Sequence, residues 1–255
     1  MGLLGCNVIL GYDEGQAPLG GTAGSGGSTT PSGGAGGAGG AGAAGGEAGG
    51  GGGDDSSVLT FGERATSTYQ DVTFDTQLMS SFRDFNYGAS PTGWADDSPN
   101  ERRVTLIRFD LTLFPATAAV AAAALRVCTG DDPQYSSSVG TVELYRVLES
   151  WEEGTEGGSA GVANWDDREP DTAWTTPGAG PGSHHSVEVG SFQGAEVGTE
   201  YVVPLPTELV EGWLADPDSN YGLVATTAST DGTEIVLSEH VAADCRPELA
   251  ITVMP

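Results

Sequence analysis

The alternation of hydrophobic and polar residues predicts strands along most of the chain after residue 57. The strongest signal lies at 104–113, where Thr105, Ile107, Phe109, Leu111 and Leu113 fall on one side of an extended chain. Arg108, Asp110 and Thr112 fall on the opposite side, together with Val104 and Leu106. Pro115 then ends the strand, because proline has no N–H to donate to a neighbour. The pattern predicts a strand that packs on the core by one face.

A second apolar run, at 120–127, follows directly. Its alanines would suit a helix. At its end, however, Leu125 and Val127 alternate with Arg126 and Cys128, as in a strand. We predict a strand here, with helix as the alternative.

Shorter alternating segments predict further strands. They lie at 58–61, 68–74, 141–148, 199–203, 223–227, 234–238 and 248–253. One helix is predicted, with Thr207 as its cap and Asp216-Pro217 as its end. Its apolar stripe consists of Leu209, Val210, Trp213 and Leu214. Many short strands with a single short helix predict an all-β fold, a single β-sandwich.

Composition divides the chain into an N-terminus (1–12), a linker (13–57) and a domain (58–255). The linker is rich in Gly, Ala and Ser, and we expect it to be disordered because it has almost no side chains to bury. Residues 3–6, Leu-Leu-Gly-Cys, resemble the lipobox of bacterial lipoproteins, in which the cysteine is lipidated. Only five residues precede Cys6 and none is basic, whereas a signal peptide has a basic and then a longer apolar region. Either the true start lies upstream of Met1, or Cys6 is an ordinary thiol.

We favour the lipidated Cys6, because a flexible tether follows it. This predicts an exported protein, lipid-anchored at the bacterial cell envelope or extracellular. Contact with a membrane is then expected only through the lipid anchor.

The chain is strongly acidic, with 36 Asp and Glu, nine Arg, no Lys and a net charge of -27. Five of the acids precede Val58, so most of the charge lies in the domain. Such a surface repels nucleic acid and other polyanions. We expect no nucleic-acid partner, a monomer, and a preference for neutral or cationic partners and divalent cations.

The cysteines predict a bridge. If Cys6 is lipidated, Cys128 and Cys245 remain as a pair in an exported protein, and such pairs usually form disulfides. Cys128 ends a predicted strand and Cys245 just precedes the last one, so the two can be neighbours. The alternative is two buried free thiols.

Catalytic and zinc motifs are weak. His184 and His185 lie in a predicted Gly/Pro/Ser loop, without the ligand spacing of a zinc site. Glu152 and Glu153 are adjacent, so on an extended chain they point to opposite sides, and a solvated loop is the better interpretation. We predict a non-enzyme without a cofactor, apart from one structural Ca²⁺ as an option. Its candidate sites are the acidic loop clusters at 96–97, 131–132, 166–167 and 216–218, among which the sequence does not choose.

The order of motifs resembles that of the DNRLRE domains, which include carbohydrate-binding module family 96. The matching motifs are Asn86-Tyr87-Gly88, Ile107-Arg108-Phe109-Asp110-Leu111 with Pro115, Ala124-Leu125-Arg126, Trp151-Glu152-Glu153, Asn164-Trp165, Trp213, Asn220-Tyr221-Gly222, Ser238-Glu239 and Arg246-Pro247-Glu248-Leu249. They cover nearly all of 58–255. The resemblance implies a β-jelly roll that binds polysaccharide without catalysis. Some members of the family bind alginate through basic residues, which this acidic chain has few of.

Sugar binding needs aromatic rings and planar polar side chains, and these residues suggest a site. The candidates are Tyr69, Tyr87, Tyr145, Arg108, Arg126 and Arg146. Trp151, Trp165 and Trp213 fall in the structural motifs and are expected to be packing anchors. The predicted function is a polysaccharide-binding module, for a neutral or weakly acidic polymer, on a cell-surface lipoprotein. The alternatives are a structural or adhesive envelope protein without a sugar site and, less favoured, a polysaccharide hydrolase or lyase.

Overall fold

A computed structural model describes residues 56–115, 118–132 and 138–254, which belong to one compact unit. The first strands are β1 (Ser57–Gly62), β2 (Thr73–Met79), β3 (Phe85–Asn86), β4 (Thr92–Ser98), β5 (Glu101–Phe109), β6 (Ala119–Cys128), β7 (Thr141–Val147) and β8 (Ser159–Ala160). They continue with β9 (Asp167–Glu169), β10 (Thr172–Ala173), β11 (His184–Gln193), β12 (Glu200–Leu205), β13 (Leu223–Thr227), β14 (Thr233–Val236) and β15 (Glu248–Met254). The helix α1 is Thr207–Ala215, and two short 3₁₀ turns are Pro217–Ser219 and Ala243–Cys245. The predictions for Cys6, for 1–12 and for nearly all of the linker lie outside the described residues.

Two antiparallel sheets make up the body of the fold, which confirms the all-β sandwich. One has four strands in the order β1-β15-β6-β12. The other has seven, in the order β11-β7-β13-β5-β4-β14, with β2 also paired to β5. Two small two-stranded ribbons, β3-β8 and β9-β10, complete the described strands.

The main core lies between the two sheets. Leu125, Leu249 and Ile251 come from the four-stranded sheet, and Ile107 and Leu144 come from the seven-stranded sheet. The helix α1 buries Leu209, Val210 and Trp213 in the same core. Burial of such side chains contributes about 1.5–3 kcal/mol each, which explains why the alternating strands pack this way.

The strand β5 has two buried faces, whereas one was predicted. Ile107 and Phe109 pack in the main core, as expected. Val104 and Leu106 pack in a second apolar cluster on the other side of the sheet. The strand also ends at Phe109 rather than at Pro115, and Leu113 is exposed. The predicted burial of Leu113 is therefore wrong, since the chain turns at 112–113 before reaching it.

The second apolar cluster covers the outer face of the seven-stranded sheet, that is, the face turned away from the four-stranded sheet. Leu78, Val104, Leu106, Val147 and Val224 supply the sheet side of the cluster. The segment between β7 and β11 supplies the covering side chains, which are Trp151, Ala163, Trp165, Trp174 and Ala179. The expectation that Trp151 and Trp165 are packing anchors agrees with this burial.

Several element boundaries differ from the predictions. The run at 120–127 lies entirely within strand β6, so the helix alternative is wrong. Within the segment predicted as a strand at 68–74, regular strand structure begins only at Thr73, the first residue of β2. Pro206, not Thr207, occupies the N-cap of α1, and no side chain in the described part of the chain caps it. Strands β4 and β11 were not predicted, and His184 and His185 begin β11 rather than lying in a loop.

A disulfide joins Cys128 at the end of β6 to Cys245 just before β15, with Cα atoms 5.2 Å apart. The predicted bridge is confirmed. In the described residues, no helix is long and apolar enough to cross a bilayer.

Candidate functional site

The segment between β7 and β11, called here the covering segment, leaves part of the outer face uncovered. An open cleft lies on that part of the face. Val224 pairs with Tyr145 on one side and with Leu106 on the other, so these three residues form one row across β7, β13 and β5. Thr226 pairs with Glu143 in the next row. Because side chains alternate along each strand, both rows face outward. The cleft above them holds about 260 Å³ and is closed on one side by the 178–184 segment.

Two rings and a carboxylate line this outer-face cleft. The rings of Tyr145 and His184 are 4.8 Å apart between centroids. The Tyr145 hydroxyl donates to Glu143 Oε2 at 2.9 Å. Partial burial and this bond raise the pKa of Tyr145 to about 12, so the hydroxyl keeps its proton at neutral pH. His184 Nδ1 donates to the carbonyl of His185 at 2.8 Å, which fixes the ring next to the tyrosine.

The rim of the cleft carries charges of both signs. Arg102 of β5 and Asp97 of β4 are paired in register and form an ion pair at the surface. Both side chains remain partly exposed, so the pair adds little to stability and stays available to a ligand. The cleft therefore combines a pair of rings with two carboxylates, a guanidinium and a threonine hydroxyl.

Arg108, the favoured ligand-binding arginine from the sequence, has a packing role in the structure. Its guanidinium carbon lies 4.5 Å from the centre of the Phe74 ring and 5.1 Å from that of Trp151. Its Nη1 donates to the Trp151 carbonyl at 3.4 Å. Burial lowers the pKa of Arg108, against the opposing effect of Glu153 and Asp110. Arg108 also lines a second cleft of about 230 Å³, beside Asp110 and Asn220.

Arg126 and Tyr69 belong to the other side of the molecule. Arg126 of β6 pairs with the buried Glu248 at 3.2 Å on the four-stranded sheet. Tyr69 stacks on Phe61 of β1 with ring centres 4.6 Å apart. These two candidates therefore lie on the opposite sheet from Tyr145, and the six do not share one sheet face.

Arg146 and Tyr87 are also separate from Tyr145. Arg146 follows Tyr145 on β7 and so points to the opposite face, and its Nε is buried with no hydrogen-bond partner among the described residues. The Tyr87 hydroxyl contacts the sulfur of Met79 at 3.7 Å. Of the six candidates, only Tyr145 lines the outer-face cleft. His184, Glu143 and Arg102 line it as well, and the sequence did not reveal them because β11 has no regular apolar alternation and the strand partners were unknown.

A second constellation, the carboxylate cluster, consists of Asp75, Glu153 and Glu239. Asp75 lies on β2, Glu153 follows β7, and Glu239 follows β14. Each offers a carboxylate oxygen, and these oxygens all lie within 4.8 Å of one another. Asp75 is fully buried, Glu153 is half-buried and Glu239 is exposed, so the cluster runs from the interior to the surface.

Backbone hydrogen bonds hold the cluster together. The amide of Ser238 donates to Asp75 Oδ2 at 2.9 Å, and the amide of Asp75 donates to Glu153 Oε1 at 2.6 Å. The Ser238 hydroxyl donates to Glu239 Oε1 at 2.9 Å. Asp75 and Glu153 are therefore each positioned by the segment that carries a neighbouring carboxylate, and Glu239 by the residue before it.

Asn86 fixes the turn that carries Glu153. Its buried amide group donates to the carbonyls of Glu153 at 2.6 Å and Ala163 at 2.8 Å. Gly154 follows with a φ of +76°, and a Cβ there would meet the Val162 carbonyl at 1.9 Å. Only glycine fits this position, so the local backbone depends on both residues.

The three negative charges oppose one another. Burial, and next the charge of Glu239, raise the pKa of Asp75 well above its ordinary value. Burial also raises the pKa of Glu153 to about 7, with Glu239 adding to the effect, while the Asp75 amide and Arg108 act against it. Without a compensating cation, the cluster therefore favours holding a proton.

The sequence interpretation of Glu153 is wrong. Glu153 is not part of a solvated pair with Glu152: Glu152 is exposed and Glu153 turns inward to Asp75. The acidic loop clusters proposed as calcium sites also differ from the carboxylate cluster. In the described part of the chain, Asp75, Glu153 and Glu239 form the grouping of three ligands, and Asp97 and Asp166 are in ion pairs with arginines instead.

Comparisons with known proteins add no family to this picture. No family model matches the chain, and no curated protein matches it.

Proposed function

We propose that this domain is a non-catalytic module that binds polysaccharide in the outer-face cleft. The observation that carries the proposal is the pairing of Tyr145 and His184 beside Glu143, Arg102 and Asp97 on one open sheet face. Aromatic rings supply apolar area against the C–H face of a sugar, and planar charged groups supply paired hydrogen bonds to its hydroxyls. A cleft of about 260 Å³ suits a short stretch of a polymer.

The net charge of the chain indicates which class of polymer it is expected to bind. The net charge of -27 opposes strongly anionic chains at long range, so neutral or weakly acidic polysaccharides are the expected ligands. The carboxylate cluster supplies no acid to either cleft. Asp75 is fully buried, and neither Glu153 nor Glu239 lines the two clefts described above.

The experiment measures retention and affinity of the 255-residue chain on neutral glucans, xylan and mannan, with alginate and pectin as acidic polymers. Tyr145→Ala is expected to lower the affinity for the bound polymer about tenfold or more, because the stacking surface is lost. Arg102→Gln should weaken binding as well. Arg83→Gln is the matched control, since Arg83 and Arg102 are each 51% exposed and each pairs with an aspartate.

A folded chain that is retained on none of these polymers would contradict the proposal. So would equal effects of Arg102→Gln and Arg83→Gln. A structural or adhesive role in the cell envelope would then be favoured, and one observation already supports it. The covering segment, with Trp151, Trp165 and Trp174, hides much of the same sheet face.

We also propose that the domain is displayed outside the cell on a lipid anchor at Cys6. The disulfide between Cys128 and Cys245 supports an oxidising compartment. Because only five residues precede Cys6, the test expresses the gene in bacteria together with its natural upstream sequence. Labelled palmitate should be incorporated into this chain and not into its Cys6→Ser variant. Equal labelling of both chains, or of neither, would contradict the anchor.

A further inference from the structure

We propose that Asp75, Glu153 and Glu239 bind one Ca²⁺ ion that joins three distant segments of the fold. The proposal is independent of the polysaccharide cleft, since none of these three residues lines it. It rests on an incompletely satisfied buried carboxylate, on the balance of charge and on the spacing of the oxygens.

The buried carboxylate is the first observation. Asp75 has no exposed surface, and only one of its oxygens has a partner. Within the described residues, Oδ1 is buried and has no hydrogen-bond partner. Leaving a buried acceptor unsatisfied is costly, and carboxylates are retained in such places when a cation completes them.

The balance of charge around the cluster is the second observation. Of the three carboxylates, Glu153 lies near a guanidinium, that of Arg108, whose hydrogen bond goes to the Trp151 carbonyl rather than to a carboxylate. A divalent cation would neutralise the two remaining charges. Carboxylates that repel one another would then be attracted to a common ion.

Spacing and chemistry identify the ion. Ca²⁺ binds oxygen at about 2.3–2.6 Å, so two ligands on opposite sides of it are at most about 5 Å apart. The cluster oxygens lie within 4.8 Å of one another, so small adjustments of the side chains would let one ion contact all three. Three carboxylates without histidine or cysteine favour a hard cation, and Ca²⁺ accepts irregular geometry more readily than Mg²⁺ does. Glu239 is exposed, which leaves a path for the ion and for water ligands.

Bound Ca²⁺ would connect β2 with the turns after β7 and β14. These segments are far apart in the chain: 78 residues separate Asp75 from Glu153, and 163 separate it from Ser238. Because the ion binds the folded state, it should stabilise that state.

The experiment titrates the EDTA-treated and desalted 255-residue chain with CaCl₂ in 150 mM NaCl, by calorimetry and thermal unfolding. We expect one tight site and a rise in Tm of about 5–10 °C at a Ca²⁺ concentration of 100 times Kd. MgCl₂ at the same concentration should give a smaller rise. Glu239→Gln and Glu153→Gln should each weaken Ca²⁺ binding by about tenfold or more.

Glu152→Gln is the matched control, because it removes the same charge from the exposed residue next to Glu153. It should leave Ca²⁺ binding unchanged. The change in Tm caused by Glu239→Gln should also differ in sign between EDTA and Ca²⁺, which a purely structural role would not produce. In EDTA it should melt at or above the temperature of the unmodified chain, because a repulsive charge is gone, and in saturating Ca²⁺ it should melt below it.

Two results would overturn the proposal. One is a folded chain that shows neither binding heat nor a change in Tm at millimolar Ca²⁺, in which case the cluster holds a shared proton. The other is Ca²⁺ binding that Glu239→Gln, Glu153→Gln and Glu152→Gln affect equally, in which case the acidic surface binds the ion without a defined site.

Discussion

At the scale of single residues, Glu63 illustrates how a charged side chain can stabilise irregular backbone. Its carboxylate accepts from the amides of Asp71, Val72 and Thr73 at 2.9–3.0 Å, where the chain enters β2. Burial opposes its ionisation, but the three amides outweigh burial and lower the pKa of Glu63. Glu63→Gln should therefore reduce the free energy of unfolding at pH 7 by about 1 kcal/mol.

The pH dependence of this loss follows from the lowered pKa. A lowered pKa in the folded state means that the contribution is complete above the unfolded value of 4.5 and is lost as the pH falls through the folded pKa. Urea unfolding at pH 7, 4 and 3 should show the difference between Glu63→Gln and the unmodified chain shrinking toward zero. Glu211→Gln, at an exposed position of α1, should show little difference at any pH. A Glu63→Gln deficit that is the same at pH 3 and pH 7 would contradict this account.

At the scale of elements, β5 shows what alternation can predict. The pattern correctly placed Ile107 with Phe109 and Val104 with Leu106 on opposite faces. It could not show that the second face is buried, because the side chains that cover it come from the segment between β7 and β11. Burial of that face depends on tertiary contacts of Trp151, Trp165 and Trp174, which carry no local signal in β5.

The strand β11 shows that alternation can also miss a strand that is present. Most of its residues are exposed, so its side chains lack the apolar alternation that makes a strand visible in a sequence. The preceding Gly, Pro and Ser residues then favoured a loop. For this reason the sequence named Tyr145 as a candidate and missed His184, its ring partner in the cleft.

At the scale of the whole molecule, the fold class was predictable and the carboxylate cluster was not. Repeated short strands and turn residues are local features, and they suffice for an all-β sandwich. The cluster joins residues of three segments, and only the assembled sheets and the Asn86 turn bring Glu153 to Asp75. In the sequence, Glu152 and Glu153 look alike, and only the fold distinguishes them.

The disulfide acts at this largest scale, because it constrains the unfolded chain more than it changes contacts in the folded one. It links residues 117 positions apart, although β6 and β15 are already neighbours in the four-stranded sheet. In the chain-entropy model a loop of this length contributes about 4–5 kcal/mol, and measured losses are about 2–5 kcal/mol. The double variant Cys128→Ala/Cys245→Ala should therefore melt about 5–15 °C lower than the oxidised chain.

Thermal unfolding with and without a phosphine reductant separates this effect from the loss of side-chain packing. Cys128 is buried, so its replacement by alanine also removes some apolar contact. Reduction of the unmodified chain breaks the bridge and keeps both side chains, so it should account for most of the fall in Tm. The double variant should not respond to the reductant, since its remaining thiol, Cys6, is not part of the bridge. If a thiol count shows both cysteines reduced while Tm is unchanged, the bridge does not stabilise the fold, and non-covalent packing of β15 on β6 carries that stability alone.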